Sequence, residues 1–191
     1  PAAGQTSQLL GNDQGIQGGF VIAESVQRAS IWSGDAATWQ NLHPETASSS
    51  YITGVSGGEQ VGDVIIGSSR ASLWKGTASS WVSLHPPAAS RSYALDNSGN
   101  QQVGIARVNS RDRASLWSGS SASWVDLHPP GYLFSEARGT SGTQQVGFVH
   151  VGASYIASLW SGSAESWVRL GPEGVLRSYA TGVHDGRQVG H

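Results

Sequence analysis

The chain has 191 residues, with 11 Lys and Arg against 13 Asp and Glu, a net charge of -2 and only 13% charged residues. That is about half the usual charged share, and it excludes a basic nucleic-acid binder and a polybasic membrane-surface helix. There is no cysteine, so disulfides, thiolate nucleophiles and zinc-thiolate sites are excluded. The longest aliphatic or aromatic run, residues 20–23, is far too short to cross a bilayer. A start at Pro1 and the lack of any methionine read as a processed product or a piece of something longer, and no signal peptide is visible.

Eight tryptophans fall as four pairs: Trp32/Trp39, Trp74/Trp81, Trp117/Trp124 and Trp160/Trp167. Members of a pair are 7 residues apart, and successive pairs are 42, 43 and 43 residues apart. A period of about 43 is the mark of a solenoid, propeller or array. Three phrases recur with it. The first is Gln-Val-Gly, at Gln60, Gln102, Gln145 and Gln188, with a weaker copy at Gln17-Gly18-Gly19. The second is Ala-Ser-Ile/Leu-Trp, ending at Trp32, Trp74, Trp117 and Trp160. The third is Leu-His-Pro, at His43, His85 and His128, broken in the last repeat to Leu170-Gly171-Pro172.

No stretch holds apolar residues at helical spacing for ten residues, and Gly or Ser interrupts each candidate helix. The phrases read as strands of four to six residues bounded by Gly, Ser, Asn or Pro. Within a repeat they run as a first strand like 178–182, a second like 145–149, a third like 114–118 and a fourth like 123–127. Four antiparallel strands per 43 residues predict a β-propeller blade, because a twisted four-stranded sheet has two apolar faces and needs a neighbour on each. The predicted fold is therefore all-β: one propeller domain over residues 1–191. Its repeats cover 6–49, 50–91, 92–134 and 135–177, with a half repeat at 178–191. The phrases count to about eighteen strands. They predict five blades with an incomplete last blade, or a section of a longer propeller, with the outer hairpin supplied by further chain or a partner subunit. Small first-strand residues such as Ala94, Gly139, Ala180 and Gly182 suit the crowded axis, and the tryptophans suit the wide gaps farther out.

The phrases resemble HAF repeats of bacterial surface and secreted proteins. The matching residues are Gln145-Val146-Gly147, Ala114-Ser115-Leu116-Trp117 and Val125-Asp126-Leu127. The resemblance covers nearly the whole chain. It departs where serine replaces the aromatic of the Ala-Phe-Leu-Trp-like phrase and where His-Pro follows the leucine. It implies an extracellular or cell-surface propeller-like domain and carries no activity with it. Trp-Asp and Gly-His signatures of WD repeats are absent.

Loop lengths argue against dedicated chemistry. The second tryptophan lies 21 residues before the next Gln-Val-Gly glutamine in all four repeats, and the phrase glycine lies 13, 12, 13 and 13 residues before the next tryptophan. Enzymes on repeat scaffolds concentrate chemistry in dissimilar inserted loops, so no enzyme, catalytic residue, cofactor or metal site is expected. Gly54-Val55-Ser56-Gly57-Gly58 matches a nucleophile-elbow pattern but sits in a hairpin turn instead of a strand-to-helix elbow. His43, His85 and His128 occupy equivalent places one repeat apart, too far for a shared metal unless they line the axis; they read as turn-capping residues. The tryptophans read as interblade core. The repeated glutamines read as partners of the backbone.

Candidate ligand contacts lie on one face, in the connections 43–50, 85–92, 128–135 and 171–178. They are Tyr132 and Phe134, which break the repeat with apolar bulk, Arg91 and Arg177 at matching positions, and the three phrase histidines. The predicted function is a non-catalytic binding or scaffold module with a protein or carbohydrate ligand, no nucleic acid and no membrane insertion. A lectin-like propeller with one weak site per repeat is the alternative, with avidity from repetition. A hydrolase is the remote one.

Overall fold

The structure, a computed structural model, describes residues 6–191. Blade 1 consists of β1 (Thr6–Asp13), β2 (Ile16–Ala23), β3 (Val26–Trp32) and β4 (Gln40–Asn41). Blade 2 consists of β5 (Ser49–Ser56), β6 (Glu59–Ile66), β7 (Ser68–Trp74) and β8 (Val82–Ser83). Blade 3 consists of β9 (Arg91–Ser98), β10 (Gln101–Val108), β11 (Arg111–Trp117) and β12 (Val125–Asp126). Blade 4 consists of β13 (Ser135–Thr140), β14 (Gln145–Val151), β15 (Ser154–Trp160) and β16 (Val168–Arg169). Blade 5 contains β17 (Ala180–His184) and β18 (Arg187–Gly190). Each sheet is an antiparallel meander in chain order. The architecture is the predicted all-β propeller type, with about five blades.

The phrases set the register. Gln60, Val61 and Gly62 face Trp74, Leu73 and Ser72 across β6 and β7, and the same pairing recurs in blades 1, 3 and 4. The phrase glycine answers a steric demand. In every blade the first strand carries a bulge, after Leu9, Ile52, Ala94, Ala137 and Ala180. Beside it a backbone carbonyl presses onto the second strand. A Cβ on Gly19, Gly62, Gly104, Gly147 or Gly190 would stand 1.9–2.0 Å from the oxygen of Gln8, Tyr51, Tyr93, Glu136 or Tyr179. No side chain fits there, so the glycine marks where two strands approach closely.

The fourth strand is shorter than the sequence predicts. The stretch 123–127 contains only the two-residue β12. A 3-10 turn (residues 121–123) precedes it, and Trp124 closes that turn with φ -58° and ψ 128°. The 42-residue spacing also finds its cause. In blades 1 and 3 the second-to-third-strand hairpin has a two-residue tip, Glu24-Ser25 and Asn109-Ser110. In blade 2, Ile66 pairs with Ser68 around the single residue Gly67, whose φ is +72°. The deletion sits at a hairpin tip and leaves the interblade faces in step.

Apolar clusters fill the gaps between blades. Ala29, Ile31 and Leu42 of blade 1 pack against Ile52, Val55, Val64 and Trp74 of blade 2. Val61, Ala71, Leu73 and Leu84 of blade 2 meet Ala94, Ala106 and Trp117 of blade 3. Val103, Ala114, Leu116 and Leu127 of blade 3 meet Ala137, Val149 and Trp160 of blade 4. The first tryptophan of the pairs in blades 2, 3 and 4 is thus the wedge driven into the preceding blade. Trp74, Trp117 and Trp160 are fully buried, and truncating such a side chain typically costs about 3–5 kcal/mol. The second tryptophan lies nearer the rim: Trp81, Trp124 and Trp167 are half-buried and Trp39 is exposed. Its indole N–H donates to the phrase serine of its own blade, at 2.9–3.0 Å from Ser30, Ser72, Ser115 and Ser158. The gap between blades 4 and 5 holds Val146, Ala157 and Ala180, with Leu159, Leu170 and Val183 partly buried around them.

The carbonyl contact makes Gly62 the least replaceable residue of its strand. Gly62→Ala is expected to destabilise the chain by about 3 kcal/mol or more, which lowers the melting temperature by about 10 °C. Gly57→Ala, at a hairpin tip with open space around its Cβ but φ of +58°, is expected to cost only about 1 kcal/mol. Paired calorimetric scans of the two variants check both values; equal losses would refute the steric account.

Candidate functional site

The three phrase histidines are built into the blade junctions. In the third strand, Ala29 lies past the end of the two-residue β4, so its amide has no strand partner on that side. The hydroxyl of Ser50, on the first strand of the next blade, accepts that amide at 2.9 Å. Ser92, Ser135 and Ser178 accept the amides of Ala71, Ala114 and Ala157 at the same distance. His43, His85 and His128 place Nδ1 2.7–2.8 Å from the oxygens of Ser50, Ser92 and Ser135. Nε2 of His43 and of His128 faces the carbonyl oxygens of Ala47 and Tyr132 at 3.2 Å. One relay satisfies all four groups: Nε2–H donates to the carbonyl, Nδ1 accepts the serine proton, and the serine oxygen accepts the amide. The His43 and His128 imidazoles are therefore neutral links between blades with both nitrogens engaged, and His85 makes the same Nδ1 contact. Burial holds the pKa of each below its ordinary value of 6.5, and nearby arginines (Arg28, Arg70, and Arg113 with Arg111) push the same way.

The other candidates separate. Tyr132 folds inward against Trp167, ring centroids 5.1 Å apart, and backs the gap between blades 3 and 4. Phe134 goes to the next gap, where it stacks on His150 at 4.4 Å and tilts against Tyr155 at 5.6 Å. Phe148, Tyr155 and Tyr179 continue this lattice into blade 5. Arg138 lays its guanidinium over Phe148 and Tyr179 at 4.9 and 5.2 Å. Arg91 pairs with Asp112 at 3.1 Å. Arg177 is exposed beside the end of β15, bridged through Tyr155. The residues left prominent on that face are not the candidate contacts: Leu133, within the apolar stretch that the sequence singles out, is 50% exposed, and Leu176, which sequence reasoning passed over, is 69% exposed with Val175 beside it. Their signal was apolar character in the same connections that drew attention to Tyr132. A shallow depression of about 320 Å³ adjoins Leu133 and Phe134, lined also by Arg107, Ser110, Arg111 and Asp112.

The glutamines and the Gly-x-Ser-x-Gly stretch are structural. Oε1 of Gln17, Gln60, Gln102 and Gln145 accepts the amide of Gly34, Gly76, Gly119 and Gly162 at 2.8–2.9 Å, which ties the second strand to the turn after the wedge tryptophan. Ser56 pairs with Glu59 around a Gly57-Gly58 turn in which both glycines have positive φ. This is a tight hairpin and not an elbow. Among the described residues no group of three or more His, Cys, Asp or Glu side chains gathers to hold a metal.

One titratable group stands outside this order. Asp63 is buried on β6 where blades 1, 3 and 4 carry Phe20, Ile105 and Phe148. Neither carboxyl oxygen has a hydrogen-bond partner. Burial pushes its pKa up to about 8. Tyr51, directly across the strand pair, favours the ionised form but does not bring a hydrogen bond of normal geometry. Asp63 is thus a buried acid that carries its proton at neutral pH.

The two groups give opposite pH signatures. The histidines have lowered folded pKa values, so as pH falls through about 6.5 the unfolded chain binds protons first and stability declines. Replacing His43, His85 and His128 by Asn is expected to flatten the decline below pH 6.5 in urea titrations; an unchanged slope would refute the neutral relay. For Asp63 the raised folded pKa means that the unfolded chain ionises alone between about pH 4 and pH 8, so this group erodes stability as pH rises through that window. Asp63→Asn is expected to match the parent chain near pH 4 and to exceed it by about 1–3 kcal/mol at pH 8, read from the same titrations.

Neither a protein-family model nor a curated protein matches the sequence. Among solved structures, the crystal structure of TolB from Acinetobacter baumannii is similar, with a TM-score of 0.64 at 12% sequence identity. The match covers 89% of this chain and 44% of that one, so the chain spans less than half the length of the TolB structure. TolB is a β-propeller, and at this identity the likeness is one of fold. No helix among the described residues is long and apolar enough to cross a membrane.

Proposed function

We propose that the chain is a non-catalytic binding or scaffold module that recognises a protein partner through the face formed by the connections between blades. The resemblance of its phrases to HAF repeats supports placing it outside the bacterial cell or on its surface. The observation that carries the reading is the exposure of Leu133 and Leu176 on successive connections, with Arg91 and Arg177 on the same face. Exposed apolar side chains with a polar rim are what a protein contact uses. The chemistry-bearing side chains nearby are engaged elsewhere: the histidines in the serine relay, Arg91 with Asp112, and Phe134 and Tyr132 in interblade packing. Equal loops fit a scaffold whose blades differ in surface and not in length.

Two experiments on the folded chain test this. A broad glycan array is expected to show no saturable binding; a related group of sugars bound with saturation would replace the proposal with the lectin reading. Peptides selected from a displayed random library against the chain are expected to lose about tenfold or more in affinity for the Leu133→Asp, Leu176→Asp double variant. Selected peptides that ignore both substitutions would overturn the assignment of this face.

A further inference from the structure

Blade 3 carries Arg and Asp in a row where the other complete blades carry neither. Arg91, Arg107 and Asp112 pair side by side across β9, β10 and β11. The matching rows are Thr6, Ile22 and Gln27 in blade 1, Ser49, Ile65 and Ser69 in blade 2, and Phe134, His150 and Tyr155 in blade 4. Arg111 opens β11, where Val26, Ser68 and Ser154 open the other third strands.

The charges of blade 3 do not cancel. Arg91 takes Asp112, with Nη2 at 3.1 and 3.3 Å from the two carboxyl oxygens. Arg107 reaches the same carboxylate only at 3.6 Å, too long for a hydrogen bond. Arg111 is exposed and has no ion pair among the described residues. Arg113 pairs separately with Asp126. Three guanidinium groups therefore share one carboxylate, a local excess of positive charge on a chain whose net charge is -2.

This excess adjoins the depression beside Leu133. Arg107, Arg111 and Asp112 line it from blade 3, and Leu133 and Phe134 line it from the connection to blade 4. Both blades have all four strands, so the depression belongs to a finished junction. A guanidinium matches a carboxylate with two parallel hydrogen bonds, and the half-exposed Leu133 gives an apolar side chain a surface to cover. A polyanion is a poorer fit, because the chain around the patch is net negative and Leu133 offers a phosphate nothing.

We infer that this depression binds an acidic peptide segment, an Asp or Glu next to an apolar residue, with the carboxylate on Arg107 and Arg111 and the apolar side chain on Leu133. This assignment rests on the reading of the connection face as a protein contact and adds the chemistry of the partner.

The test uses the intact chain and peptides selected against it from a displayed random library, then synthesised and titrated by fluorescence anisotropy. The selected pool is expected to be enriched at least about threefold in Asp or Glu beside Leu, Ile, Val or Phe. Affinity is expected to fall about threefold or more between about 50 mM and about 300 mM NaCl. The Arg107→Gln, Arg111→Gln double variant is expected to bind about tenfold more weakly while melting with the parent chain. Binding indifferent to salt, or a pool without acidic enrichment, would overturn the inference even if that variant were unstable. Peptides that lose affinity for the Leu133→Asp, Leu176→Asp variant but bind the arginine variant unchanged would overturn it and leave the connection face standing. Peptides indifferent to all four substitutions would remove both. Displacement of the peptides by an equimolar single-stranded oligonucleotide would place a phosphate ligand in the depression and overturn the inference too.

Discussion

A serine hydroxyl between adjacent blades is the interaction on which the rest of the structure depends. The fourth strand of each complete blade has only two residues, because a 3-10 turn must return the chain past the wedge tryptophan. That economy leaves one third-strand amide, such as that of Ala29, beyond the end of its own sheet and inside the protein. A buried amide without a partner costs about 1–3 kcal/mol. The partner comes from the next blade: Ser50, Ser92, Ser135 or Ser178, each buried and each 21 residues downstream of the alanine it serves. Hydrophobic wedging is tolerant of small slides, whereas this hydrogen bond is not. It converts a stack of apolar sheets into a stack with one register, and in three junctions a histidine fixes the hydroxyl's own orientation.

How much of this was legible in the sequence depends on whether a residue was conspicuous at its position. The tryptophans, the phrase glycines and the repeated glutamines stand out in any composition, and strand order and blade count followed from them. The close carbonyl contact explains why glycine must end the Gln-Val-Gly phrase, but nothing local to the phrase reveals it, because the pressing atom belongs to another strand. Ser50 was invisible for a different reason. It sits in the run Ser48-Ser49-Ser50, where serine is what any linker would contain, and only the constant 21-residue offset from the alanine distinguishes it. The histidines were read both as turn caps and as candidate contacts, and their partner could not be named without the serine.

The candidate contact face was legible only as a region. Tyr132 and Phe134 are two residues apart on an extended stretch, and the sequence treats them as one apolar patch. The chain passes between two interblade gaps at that point, so Tyr132 turns to Trp167 on one side and Phe134 to His150 on the other. Leu133, with no gap to enter, is left outside. Alternation therefore exposes the residue between the two most conspicuous ones. Arg91 shows the converse: a free-looking cation in sequence is held by Asp112, which lies 21 residues away on the third strand of the same blade, across the intervening β10.

The junction of blades 4 and 5 is where the repeat departs most from itself, and the departures are coupled. Gly171 replaces the histidine, and a Cβ there would stand 2.4 Å from the Ser178 hydroxyl. With no imidazole at this position the relay is absent, and the serine keeps only its bond to the Ala157 amide. What replaces the relay is aromatic: Phe148 against Tyr179 edge-on at 5.2 Å, Tyr155 against Tyr179, and Arg138 across both Phe148 and Tyr179. Ring contacts of this kind are weaker in angular demand than a three-centre hydrogen-bond chain. Blade 5 is held to blade 4 by this aromatic area together with the buried Val146, Ala157 and Ala180.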